Sequence, residues 1–189
     1  MEFRHPFEWL PESRQKITFV ILAILTLQVM ASLQVLGKPL INKVSPAGIV
    51  SYEFAGELEF ARKMIDSWGA DGQVYAGLNL GVDYLFLVAY GMSISLGCVI
   101  VGRNLSARFS ILSLVGVILA WGQLGASFLD GIENYGLIRV LLGTDQAFWP
   151  QVARICAGPK FIIVALGLFY VLVGALISVF FRKPRNSAD

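Results

Sequence analysis

A chain of 189 residues that is 56% hydrophobic, only 15% charged and has a mean hydropathy of +0.68 is not an ordinary water-soluble domain, in which about a quarter of residues carry charge. A formal charge of +2 likewise excludes the dense basic surface of a nucleic-acid-binding protein. Apolar runs of about 20 residues match the ~30 Å of a bilayer's hydrocarbon, so the expected fold is all-α, a single membrane domain over 1–189 built as a four-transmembrane-helix bundle.

Residues 1–16 are polar and mixed in charge, with Arg4, Arg14 and Lys16 against Glu2, Glu8 and Glu12; the lone His5 reads as a solvated side chain. The first span, about 17–36, contains no charged residue. Val29-Met30-Ala31 loosely fits a signal-peptide cleavage site, but the preceding region is long and mixed in charge and the apolar run continues past it, so an uncleaved helix is expected.

Between the first two spans an amphipathic interfacial helix is predicted over about 46–68. Ser45-Pro46 reads as its cap and first position, and Gly69 as its end. Ile49, Tyr52, Leu58, Ala61, Ile65 and Trp68 form its apolar face, while Glu53, Glu57, Glu59, Arg62, Lys63 and Asp66 lie opposite. Such a helix caps the mouth of a bundle or, alternatively, closes over a site as a lid.

The second span, about 74–101, aligns Asn79, Asp83 and Tyr90 on one face. A short link with Arg103 and Arg108 leads to the third span, about 109–142, where Gln123, Ser127, Asp130 and Asn134 fall at i, i+4, i+7 and i+11, flanked by Glu133. A loop with Asp145, Trp149-Pro150, Arg154 and Gly158-Pro159 is predicted before the fourth span, about 161–181. There Gly167, Gly174 and Ser178 form a small-residue stripe that lets a neighbouring helix approach. Cys98 in an apolar run and Cys156 in the predicted loop lack metal or redox spacing, and no disulfide is expected.

Counts of basic residues on the two sides, 8 against 7, do not orient the bundle. Bases crowding the span ends do: Arg14, Lys16, Arg103, Arg108 and Arg182 to Arg185 place both termini in the cytoplasm of a bacterial inner membrane.

Carboxylates on membrane helices face a protein interior or a wet cavity. Asp83 lies 22 residues before Leu105 and Asp130 lies 25 after it, so in an antiparallel hairpin the two acids differ in height by only about 5 Å. The candidate binding residues are therefore Asp83, Asp130, Glu133, Asn79, Asn134 and Gln123, gathered in an acidic pocket near the non-cytoplasmic side. Such a pocket can bind a small amphiphile or lipid headgroup, or handle a cation or proton. Its alternatives are a structural or assembly subunit whose acids only lock helices, with Arg139 folding back to neutralise one of them, and a lipid-modifying enzyme. Metalloprotease, hydrolase, phosphate-loop and dinucleotide motifs are absent, and a single histidine outside the spans excludes a bis-histidine haem, so neither a cofactor nor a catalytic residue is assigned. Partners beyond the bilayer would be a membrane protein or a second copy of the chain.

The stretches VSPAGIVSYEFAG, LGVDYLFLVAYG and LDGIENYGLIRVLLG, within residues 44–143, resemble an uncharacterised bacterial family of small four-helix integral membrane proteins, a likeness that implies the fold and no activity. In architecture alone, four helices with buried acids near one mouth are similar to the sterol-isomerase-like bundles; no motif aligns, and no catalytic role is carried over.

Overall fold

The apolar run that follows Glu12 is hydrophobic on every face, which suits a helix surrounded by hydrocarbon rather than one lying on a core. The computed structural model describes residues 4–106 and 109–180 of the chain. It is all-helical: α1 (Glu12–Gly37), α2 (Ile49–Glu53), α3 (Leu58–Ser106), α4 (Ser110–Leu141) and α5 (Phe148–Phe180), with a 3-10 turn at Lys38–Leu40. Four helices among the described residues are long and apolar enough to cross a membrane. Arg108, the basic tail from Arg182 to Arg185 and the last residue of the predicted fourth span lie outside the described residues.

The long helices run up and down, with α3 at the centre packing on α1, α4 and α5. Small residues make this central position workable. A side chain at Gly91 of α3 would collide with Ser127 of α4, and one at Gly167 of α5 would collide with the Gln123 amide. Gly174 meets Val101 of α3 in the same way, so the small-residue stripe of the fourth span is used within the bundle. In contrast α1 buries only Gln15 and Val29 and turns Ile17, Ile21, Leu27 and Val35 outward.

Two apolar clusters stack along the bundle. One, around Leu87, Tyr90, Ile94, Leu96 and Val101, fills the end near the α3–α4 turn. The other, around Leu40, Tyr52, Ile65, Trp68, Leu80 and Leu137, fills the end covered by residues 38–57.

That covering segment is the first departure from the predicted elements. The helix expected over 46–68 is two pieces, α2 and the first arm of α3, because the chain turns at Gly56 with φ 71°. Arg154 packs where a Cβ at Gly56 would stand, a second reason for glycine there. Ser45 is not a helix cap; its buried hydroxyl donates to the Leu40 carbonyl and accepts from the Trp68 indole N–H. Tyr52, Ala61, Ile65 and Trp68 do face inward. Gly69 ends the first arm as expected, at φ 64°, but the helix resumes at once, so 70–73 are helical.

The second departure is at α5, which starts at Phe148 rather than 161. Pro150 falls in its first turn, where no backbone N–H bond is lost, and Pro159 is carried inside the helix. Gly158-Pro159 is a local loop signal; burial of Ala153, Cys156 and Ala157 against the bundle overrides it. Cys98 and Cys156 are both free and buried.

The cap is fastened by the Tyr52 hydroxyl, which donates to the Leu137 carbonyl at 2.8 Å, and by the Trp68 indole, which donates to the Leu40 carbonyl at 2.9 Å. Replacing Tyr52 with phenylalanine removes one buried hydrogen bond, worth about 1 kcal/mol. Thermal unfolding in mild detergent is expected to shift down by roughly 2–4 °C; an unchanged midpoint would mean that this contact does not hold the cap.

Candidate functional site

At the seam between the two apolar clusters lies a group of charged side chains drawn from four elements. On α4, one face carries Gln123, Asp130, Glu133 and Asn134, all buried. The helical spacing that aligned them in the sequence delivers them to the bundle interior, with Asp130 3% exposed and Glu133 fully enclosed. From α5 comes Lys160, only 6% exposed. Its Nζ donates to Asp130 Oδ1 at 2.9 Å and to Glu133 Oε1 at 2.9 Å, and lies 3.7 Å from Glu53 Oε2. The ring of Phe161 stands 4.8 Å from the same ammonium and stacks on Phe54 of the cap.

Glu53, at the end of α2, is brought in by the cap. From α3, Tyr90 donates its hydroxyl to Asp130 Oδ2 at 2.9 Å. Half-buried Asp83, also on α3, accepts from the Asn134 amide.

The predicted site residues thus divide. Asp83, Asp130, Glu133 and Asn134 come together. Asn79 is buried beside them but donates to the Leu33 carbonyl of α1, fastening that helix to α3. Gln123 is two turns away, and its amide donates to the Ile163 carbonyl of α5; it is a helix-to-helix tie. Arg139 is exposed and does not neutralise the acids; Lys160 does.

Two members are not evident from the sequence pattern. Lys160 fell in a predicted loop, although Ala153, Cys156 and Ala157 precede it at i−7, i−4 and i−3, a small-residue face that would have placed it inward on a helix. Helical periodicity over 46–68 places Glu53 on the solvated face of a single helix. The turn at Gly56 resets the helical phase, and nothing in the local pattern announced it.

Three carboxyls, Glu53, Asp130 and Glu133, meet one ammonium, and a fourth, Asp83, lines the same cavity end. All four cannot remain ionised in a low dielectric, so the group holds at least one proton. Two atoms mark where. Neither Glu53 Oε2 nor Glu133 Oε2 receives a hydrogen bond from any N–H or O–H group among the described residues. The two carboxyls lie within hydrogen-bonding reach of one another, so a proton held on this pair gives a donor to an oxygen that otherwise has none.

Two cavities meet at this cluster. The larger, about 580 Å³, runs between α1, α3 and α5; Glu53, Asp83, Asp130 and Lys160 line one end, and residues such as Phe19, Leu27, Leu168 and Leu172 line the rest. The smaller, about 410 Å³, lies beneath the cap and is lined by Gln34, Lys38, Asn79 and Asn134 among others. Met30, Glu53, Asp83 and Phe86 belong to both walls. Among the described residues no group of His, Cys, Asp or Glu is arranged to hold a metal ion, and Lys160 Nζ occupies the centre of the acids. Comparison with protein-family models, with curated proteins and with solved structures gives no match for this chain.

Removing the ammonium strands the acids. Lys160→Met is expected to cost about 3–5 kcal/mol, the range for breaking a buried ion pair, and to lower the unfolding midpoint by roughly 10 °C. Combining it with Glu133→Gln should recover part of that loss; a single variant as stable as the parent would show that Lys160 is not compensating buried charge.

The cap acid also gives a pH signature. Burial lifts the Glu53 carboxyl from 4.5 to about 7; Lys160 on α5 pulls it down, while Asp130 on α4 and Asp83 on α3 push it further up. A group whose folded pKa is raised contributes stability at low pH that is lost as pH rises through the folded value. The unfolding midpoint is therefore expected to fall between pH 4.5 and about 7, and Glu53→Gln should flatten that slope. A slope unchanged by the substitution would remove Glu53 from the titrating group.

Proposed function

We propose that this chain is an integral protein of the bacterial inner membrane, with four spans, both termini in the cytoplasm and residues 38–57 covering the non-cytoplasmic mouth, and that it binds a small amphiphile. The observation that carries the reading is the shape of the larger cavity: about 580 Å³, apolar along most of its length, with Glu53, Asp83, Asp130 and Lys160 at one end. That volume falls within the ~300–1,000 Å³ typical of small-molecule sites. Apolar walls with a few convergent polar groups suit a ligand with a chain and a head. Outward-facing Ile17, Ile21, Leu27, Leu168 and Leu172 would be a liability in water and are at home in hydrocarbon.

A second reading has its own support. Lys160 ties α5 to α4 and to the cap through three acids, so the cluster also serves as a lock between helices. In a structural or assembly subunit that lock would be the whole purpose, and the cavity would hold only bulk lipid.

The two readings separate when the apolar part of the cavity is filled from a site remote from the lock. Ala23→Trp places an indole in the wall supplied by α1, a helix that carries none of the four acids. Native mass spectrometry from mild detergent is expected to find one amphiphile retained on the parent protein and none on the variant, with unfolding midpoints alike. Bare parent protein, accompanied by a stoichiometric protein partner, would favour the structural subunit.

A further inference from the structure

Resting on the binding reading, we propose that the ligand is a single-chain amphiphile with a protonated amine head, admitted sideways from the bilayer between α1 and α5 and held by Glu53 and Asp83. The group of acids would not by itself make a site. The independent observation is Glu53: only 9% exposed, with Oε2 lacking an N–H or O–H donor among the described residues, and with its side chain in the walls of both cavities.

Counting hydrogen bonds separates saturated groups from available ones. Both Asp130 oxygens have donors, Lys160 and Tyr90. The Lys160 ammonium has acceptors in Asp130 and Glu133, with Glu53 beside it, so it is not free for an anionic head. Glu53 Oε2, enclosed and 3.7 Å from Lys160 Nζ, accepts no hydrogen bond from an N–H or O–H group among the described residues, and Asp83 accepts from Asn134. What remains at the head of the cavity is acceptor capacity and negative charge. An ammonium supplies both complements, N–H donors and a positive charge. It would take the place of the proton on the Glu53–Glu133 pair, and that proton would leave through the smaller cavity under the cap.

The route follows from packing. α1 and α5 both rest on α3 without an extended contact with each other. Leu27 of α1 and Leu168 and Leu172 of α5, all in the cavity wall, keep much of their surface uncovered by the protein. A slot of this kind passes one chain lengthwise while the head reaches Asp83 and Glu53. One apolar channel with a single charged end selects one chain rather than two.

The test uses the full chain in phosphatidylcholine nanodiscs, with dodecylamine and dodecanol as matched probes and bound ligand counted by native mass spectrometry. Dodecylamine is expected to bind at one per chain with roughly tenfold higher affinity than dodecanol, the preference of a charge-assisted hydrogen bond over a neutral one. Asp83→Asn and Glu53→Gln should each reduce that preference, and Leu168→Trp, remote from the acids, should abolish binding of both probes. Equal binding of the two probes overturns the amine head while leaving an amphiphile site in place. Preference for dodecyl sulfate also overturns it and makes Lys160 the head partner. Binding of neither probe removes the site together with the reading it rests on, and unimpaired binding by Leu168→Trp overturns the lateral route.

Discussion

An ammonium enclosed with acids from two other elements is the interaction on which the structure depends. Lys160 cannot be solvated where it sits, and Asp130 and Glu133 cannot be solvated where they sit, so each requires the others. The requirement fixes the rotation of α5 against α4 and draws the cap down until Glu53 reaches the same ammonium. Apolar packing alone specifies rotation poorly in helices that are apolar on nearly every face, as these four are. The charged seam, together with the Gln123 and Ser127 ties to the Ile163 and Leu87 carbonyls, supplies that specification.

The same seam explains why a cavity persists in an otherwise packed bundle. The two apolar clusters on either side are filled with leucine, valine and aromatic side chains, whereas the seam holds groups whose hydrogen bonds set their separation. α1 is held mainly through contacts on α3, among them the Asn79 amide to the Leu33 carbonyl, and leaves its remaining surface unpacked. A helix attached along one edge borders an opening towards α5. Fold and candidate site therefore share one cause, the concentration of polar contacts on α3 and α4.

Much of this was legible in the sequence, and the failures have physical origins. Four apolar helices, the inward stripe on α4 and the meeting of Asp83 with the α4 acids followed from composition, helical period and rise per residue. Lys160 was lost because Gly158-Pro159 is a strong local breaker that tertiary packing overrode. Glu53 was lost because periodicity assumes one continuous helix, and the positive φ at Gly56 divides it. Gln123 and Asn79 illustrate the reverse error: a shared stripe guarantees a shared direction, not a shared partner. Each of these amides reached a backbone carbonyl of a neighbouring helix before it could reach the acids.

Together these acids form one enclosed, proton-holding group balanced by Lys160. Infrared spectroscopy of the purified protein at neutral pH addresses it directly, since a protonated carboxyl and a carboxylate absorb separately and a buried one resists exchange with bulk solvent. The structure predicts a protonated-carboxyl band at pH 7 that weakens when Glu53 becomes glutamine. A spectrum at that pH containing only carboxylate bands would contradict it.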